Sequence, residues 1–246
     1  INPVAKLAAA TVIGATLLTS IDRVSSSVAL ALELALIAVA GVPIGRIAVR
    51  CWPLVVAAAL AGLTILLYGR PSGEIYARVL FAEISDGSIE LAIATMLRVL
   101  AIALPAVILF LTVDPTDLAD GLAQVLRLPA RFVLGALGGM RLVGLFVDDW
   151  RSLELARRAR GVADRGRLRR FAGMAFALLV LSVRRGSKLA TAMEARAFGS
   201  PIRRTWARQS TIGRADVALV VTAVLIATAA VGAAVVTGEW NPVFVA

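Results

Sequence analysis

Five apolar stretches dominate this chain of 246 residues: about Val4–Ser20, Val28–Gly45, Pro53–Tyr68, Leu91–Val113 and Val217–Val236. A hydrocarbon layer about 30 Å thick takes roughly 20 apolar residues in a helix, since each residue rises about 1.5 Å and every backbone amide must be paired within the segment. The stretches predict an all-α polytopic membrane protein with about five transmembrane helices. Composition agrees, with 59% of residues hydrophobic and 17% charged, against about 45–50% apolar in a soluble domain. The first and third stretches are short, so tilting, a break or cover by neighbours is expected there. The opening run has the small residues of a signal peptide, but the apolar stretches that follow favour a first span. Because the chain starts at Ile1 rather than Met, a short preceding segment is expected.

Cys51 is the only cysteine and histidine is absent. An internal disulfide and imidazole acid–base chemistry are excluded, and zinc or copper sites built on Cys and His are not expected. No catalytic residue, metal site or cofactor is anticipated. Glu33 and Arg98 lie inside apolar stretches, where a charge is costly unless it faces the bundle interior or a partner. A helix end with a snorkelling side chain accounts for Arg98.

The net charge of +10 sits in one block. Residues 127–208 carry 18 Arg and Lys against 5 Asp and Glu, a net of +13 that leaves −3 for the rest. Loop charges orient the chain. The link Ile44–Trp52 has Arg46 and Arg50 without an acid and reads as cytoplasmic, whereas Gly69–Glu90 is acidic and reads as external. The basic block is then cytoplasmic and the tail with Glu239 external, in a multi-pass membrane protein.

Within the block, Asp114–Asp117 opens a short helix that ends near Leu128–Pro129. A long helix follows over Arg131–Arg160, then a turn at Gly161–Gly166, and a second long helix over Leu168–Phe198 that stops at Gly199–Pro201. Each is about 45 Å long at about 1.5 Å per residue. Their first halves are apolar, apart from Arg141, and their second halves are charged. Gly135, Gly138, Gly139 and Gly144 on the first helix, with Ala172, Gly173, Ala175 and Ala177 on the second, suit close crossing of two backbones. The chain divides accordingly into N-terminal transmembrane helices (1–113), a cytoplasmic domain with two long amphipathic helices (114–208), and a C-terminal transmembrane helix with its tail (209–246).

The charged halves end alike. The first closes on Ala159-Arg160-Gly161, after Glu154 and Arg157; the second closes on Ala195-Arg196-Ala197, after Glu194. Ala-Arg occurs six times in the chain and signals nothing alone; position raises these two copies, which close two long helices 36 residues apart. An Arg beside small residues at a helix tip can enter a groove and pair bidentately with a carboxylate. Two tips side by side would engage two grooves of a dimeric partner. The plainer alternative is a basic cluster that sets topology and neutralises anionic lipid.

The arrangement resembles the transmembrane T component of energy-coupling factor transporters, the EcfT and CbiQ type. Asn2-Pro3-Val4-Ala5-Lys6-Leu7 is similar to the family's opening Asn-Pro-x-x-Lys-Leu. Thr116–Leu122, Leu128-Pro129 and Arg141 fit the lead into its coupling region, and Ala159-Arg160-Gly161 and Ala195-Arg196-Ala197 match its two Ala-Arg-Gly signatures. Ala197 departs from the usual glycine, and no proline follows Arg141. The resemblance implies two long crossed cytoplasmic coupling helices whose Arg160 and Arg196 dock on two ATP-binding-cassette ATPase subunits, a homo- or heterodimer. Glu154, Arg157, Glu194 and Arg141 would support the contact, and Gly135, Gly138, Gly139 and Gly173 the crossing. It further implies a membrane-embedded substrate-binding S component that takes up a vitamin or a transition-metal ion. The chain itself would be non-catalytic, in keeping with the lack of a phosphate-binding Gly-x-x-x-x-Gly-Lys loop.

Other readings fare worse. Asp120-Gly121 with Ala130-Arg131 faintly resembles membrane phosphatidyltransferases, but the further aspartates that would hold their metals do not follow. A nucleic-acid partner is not expected, because the arginine run 155–170 lies between apolar helices with no aromatic residues interleaved. The chief alternative is a conventional ATP-binding-cassette permease subunit or another polytopic channel or transporter.

Overall fold

Asn2 and Pro3 start the first helix. In the computed structural model the Asn2 side chain accepts the Val4 amide at 2.9 Å and Pro3 occupies the first turn of α1 (Pro3–Leu17), where a missing N–H costs nothing. The structure describes residues 1–41, 44–69, 72–79, 82–161, 166–200 and 205–242. Among them α1 is followed by α2 (Arg23–Val39), α3 (Ile44–Tyr68), the strands β1 (Ile75–Val79) and β2 (Ala82–Ser85), α4 (Asp86–Thr112), α5 (Pro115–Gln124), α6 (Ala130–Ala159), α7 (Arg167–Ala195) and α8 (Arg214–Thr237).

The chain forms two compact units, one of residues 1–114 and 211–246, the other of 115–210. In the first, α1, α2, α4 and α8 meet through small residues: Ala29, Ala101, Ala223 and Ala230 are each at most 2% exposed, beside Ile13, Leu17 and Ile226. Alanine here brings backbones close, as suits helices with no water to expel from between them. α3 leans on α4 at Gly62, where a Cβ would lie 2.3 Å from Met96 Cγ. Large apolar side chains point outward instead, among them Phe110 (82% exposed) and Val236 (88% exposed). A bundle that is apolar outside is built for lipid. The molecule is an all-α polytopic membrane protein.

Among the described residues, four helical segments are long and apolar enough to cross a membrane: Val49–Tyr68, Asp86–Thr112, Ala130–Ala159 and Arg214–Thr237. The third lies within the region read from sequence as amphipathic and cytoplasmic; its apolar first half supplies the hydropathy. α1 and α2, with 15 and 17 residues, fall below a full crossing length.

Several boundaries differ from expectation. The link expected at Ile44–Trp52 is helical: α3 begins at Ile44 and runs through Pro53. Proline removes one intrahelical bond and its ring bends the helix, but flanking turns in an apolar setting hold the helix together. α2 starts at Arg23 because Asp22 accepts the Ser25 amide and caps it. Within the expected external link Gly69–Glu90, β1 and β2 pair antiparallel, with Ile75 opposite Ser85 and Val79 opposite Ala82. α7 stops at Ala195, three residues before Phe198. Residues 162–165 of the expected Gly161–Gly166 turn, and Pro201, lie outside the described residues.

Polar groups of the first unit tie helix ends together. The Asn2 amide donates to Asp216 at 2.5 Å, and Asp216 also accepts the Gly213 amide at 2.7 Å. Lys6 donates to the carbonyl and hydroxyl of Thr112 at the end of α4. Arg98 donates to the Leu18 carbonyl at 3.0 Å, so its charge meets the negative end of α1. Arg23 pairs with Glu90 at 3.2 Å and Glu239 at 3.5 Å.

Candidate functional site

The second unit grows from α5. Ala119 and Ala123 of α5 bury against Val133 of α6, with Trp206 over them. The Gln124 amide donates to the Arg208 carbonyl and its oxygen accepts the Ser210 amide, so the chain beyond α7 returns to α5. Asp117 adds an ion pair to Arg208 at 3.3 Å.

From this base α6 and α7 pack in opposite directions. Falling residue numbers on α6 meet rising numbers on α7: Glu154 meets Arg170, Asp149 meets Arg185, and Gly138 faces Leu189, while the long Arg157 side chain reaches Gly173. Asp149 and Arg185 form a forked pair, with one arm at 3.0 Å. Glu154 accepts from Arg158 at 2.8 Å and Arg170 at 2.6 Å. Between these pairs Trp150 packs on Phe171, ring centroids 5.4 Å apart and planes 56° apart, above the buried Met174. A small cleft lined by Trp150, Glu154, Arg170, Phe171 and Met174 remains.

The crossing glycines fare unequally. Gly138 would place a Cβ 3.8 Å from Leu189, and Gly173 would place one 3.1 Å from the Arg157 guanidinium. Gly135, Gly139 and Gly144 have nothing within 4 Å. Of the expected crossing residues, Gly138 and Gly173 thus face the opposite helix. Among the described residues, charge pairs and one aromatic contact join the two long helices.

The two Ala-Arg signatures are the same structural object. At the end of α6, Ala159 is the last helical residue, Arg160 caps with φ −88° and Gly161 turns left-handed at φ 64°. At the end of α7, Ala195 is last, Arg196 caps with φ −93° and Ala197 turns left-handed at φ 56°. Gly161 donates to the Arg158 carbonyl at 3.0 Å, as Ala197 donates to Glu194 at 2.9 Å, and Phe198 reaches back to Met193 at 2.9 Å. These are the reversed bonds that satisfy the last carbonyls of a helix. The alanine pays the left-handed conformation's steric cost of about 1–2 kcal/mol, which glycine escapes.

Both arginines are exposed, and neither has an ion-pair partner among the described residues. Arg141 and Glu194 are exposed as well. Arg157 lies instead against α7 and Glu154 within the charge network, so these two brace the α6 tip. The tips are not side by side. Arg160 lies near the start of α7, whereas Arg196 is at its far end, about 40 Å away along a helix of 29 residues.

Sequence reasoning missed Asp149, Trp150, Arg170, Phe171 and Arg185. The usable signal was faint: an acid and an arginine 36 residues apart, the same separation as Arg160 and Arg196, in two helices of similar length.

The family model for CbiQ, cobalt transport protein, matches residues 1–206. The energy-coupling factor transporter transmembrane protein EcfT of Bacillus selenitireducens is 29% identical over 175 residues, covering 66% of this chain and 65% of that protein. EcfT of Limosilactobacillus fermentum is 28% identical over 169 residues, covering 63% of each. The match thus spans slightly less than two thirds of either relative's length. With the family model reaching from the Asn2 cap through both arginine tips, the chain belongs to the cobalt transport protein family, CbiQ, and is EcfT-like.

Proposed function

We propose that this chain is the transmembrane coupling subunit of an energy-coupling factor importer. It transmits ATP-driven motion of two ATPase subunits to a membrane-embedded substrate-binding subunit that carries a vitamin or a transition-metal ion. The chain performs no chemistry of its own. The second unit lies on the cytoplasmic side, where its excess of arginine favours both that placement and contact with anionic lipid. Its ends, Ala159-Arg160-Gly161 and Ala195-Arg196-Ala197, dock in one groove on each ATPase.

One observation carries the reading: two helix ends of the same cap geometry each present an exposed arginine with no ion-pair partner among the described residues. A guanidinium held on a fixed backbone, beside alanine, loses little freedom on entering a carboxylate-lined groove. Separation of the tips by about 40 Å along α7 suits one tip per ATPase rather than two tips on one. The charge pairs between α6 and α7 make the hairpin a lever, so displacement of one tip moves the other.

Replacing both arginines, Arg160→Glu and Arg196→Glu, is expected to abolish co-purification of the ATPases while the membrane unit stays folded. Undiminished ATPase binding by the double variant overturns the docking role. Loss of binding with transport intact overturns the coupling role.

A further inference from the structure

Glu33, in the inner part of α2, is 4% exposed, and both of its carboxylate oxygens lack a hydrogen-bond partner among the described residues. It lines a cavity of about 530 Å³ between α1, α2, α4 and α8. Lys6 borders the same cavity, but its ammonium is held by Thr112. The rest of the lining is almost wholly apolar, and much of it is small: Ala9 and Ala10 of α1, Ala218 and Ala223 of α8.

We infer that this cavity receives one face of a transmembrane helix from a partner subunit, and that Glu33 pairs with a lysine or arginine on that helix. Shape supports a helix. On α8 the lining runs from Ala215 to Ile226, three turns or about 16 Å. A helix about 10 Å across has roughly twice the cavity's volume over that length, so one face inserts and the remainder stays in lipid. Alanine-rich walls are what a second helix needs to come close. Charge supports a cationic occupant. Glu33 lies six residues, about 9 Å, inside the end of α2, where an uncompensated carboxylate is costly. A lipid tail brings no donor to that depth, whereas a lysine or arginine side chain brings a charge and several. Only residues of the first unit take part, and neither arginine tip is among them.

The full chain in phosphatidylcholine vesicles tests it. The probe is a labelled synthetic Leu/Ala transmembrane helix with one central lysine, compared by energy transfer with the same helix carrying methionine there. The lysine helix is expected to bind at least tenfold more tightly than the methionine helix. Glu33→Gln is expected to erase that preference, and Glu33→Lys to prefer a helix with a central glutamate. Equal binding of the two helices by the native chain overturns the proposal, as does a lysine preference that survives in Glu33→Gln. Full displacement of the lysine helix by dodecylammonium at equal concentration also overturns it, in favour of a small amphiphile. ATPase co-purification with Glu33→Gln stays unchanged, which separates failure here from failure of the docking reading.

Discussion

The ends of α6 and α7 carry the same three-residue geometry on different residues. Each places alanine last in the helix, arginine at the cap and a left-handed residue after it, but that residue is Gly161 in one and Ala197 in the other. What is kept is the direction in which the chain turns, and with it the direction of the arginine. Glycine is the easy way to reach that turn, not a requirement for it. The bonds from Ala197 to Glu194 and from Phe198 to Met193 hold an alanine where its Cβ opposes the backbone. The two ends are held by different contacts: Glu154, Arg157 and Arg170 brace the α6 tip against α7, and the bonds of its own turn hold the α7 tip.

The largest effect comes from splitting the arginine pair. Arg160→Glu and Arg196→Glu made singly should each weaken ATPase binding by ~10-fold or more, the scale of one lost charge-assisted bond. Similar losses in a binding titration support equivalent tips, and one silent variant breaks the equivalence. Next is the lever. Asp149→Ala is expected to destabilise the α6–α7 hairpin by about 1–2 kcal/mol, less than a fully buried pair because Arg185 is partly exposed. The exchange Asp149→Arg with Arg185→Asp should recover most of it. Thermal unfolding in detergent reads both, and an exchange no better than the single change removes the pair as the clamp.

The caps themselves come third. Ala197→Gly should stabilise by about 1 kcal/mol and Gly161→Ala should cost about as much, with ATPase affinity nearly unchanged in both. A large loss of affinity in Ala197→Gly would show that the methyl group, and not the turn, is recognised. Smallest is Gly173→Ala. The new Cβ meets only the flexible end of Arg157, and the helix gains from losing a glycine, so stability should shift by less than about 0.5 kcal/mol.

Much of this was legible in the residues. Apolar length marked the helices of the first unit and Asp114–Asp117 announced α5, because each rests on local chemistry that a window of residues contains. Asn2 was legible as part of a motif, but its reason was not: its amide binds Asp216, 214 residues away. Pro53 misled, since a helix-breaking residue predicts a boundary only where nothing else sustains the helix.

The sequence by itself determined that the chain is a helical membrane protein with a basic unit ending two long helices in arginine. Hydropathy, charge and capping act over a few residues, and so can be read in one dimension. Only the tertiary structure decided that Gly135 and Gly139 face open space while Asp149 and Arg185 join the helices. It alone set Arg160 and Arg196 at opposite ends of α7 and placed Glu33 against a cavity with no hydrogen-bond partner among the described residues. Those outcomes depend on which faces of distant helices meet, and a side chain's partner across a helix pair is fixed by packing direction and register, which no local pattern contains.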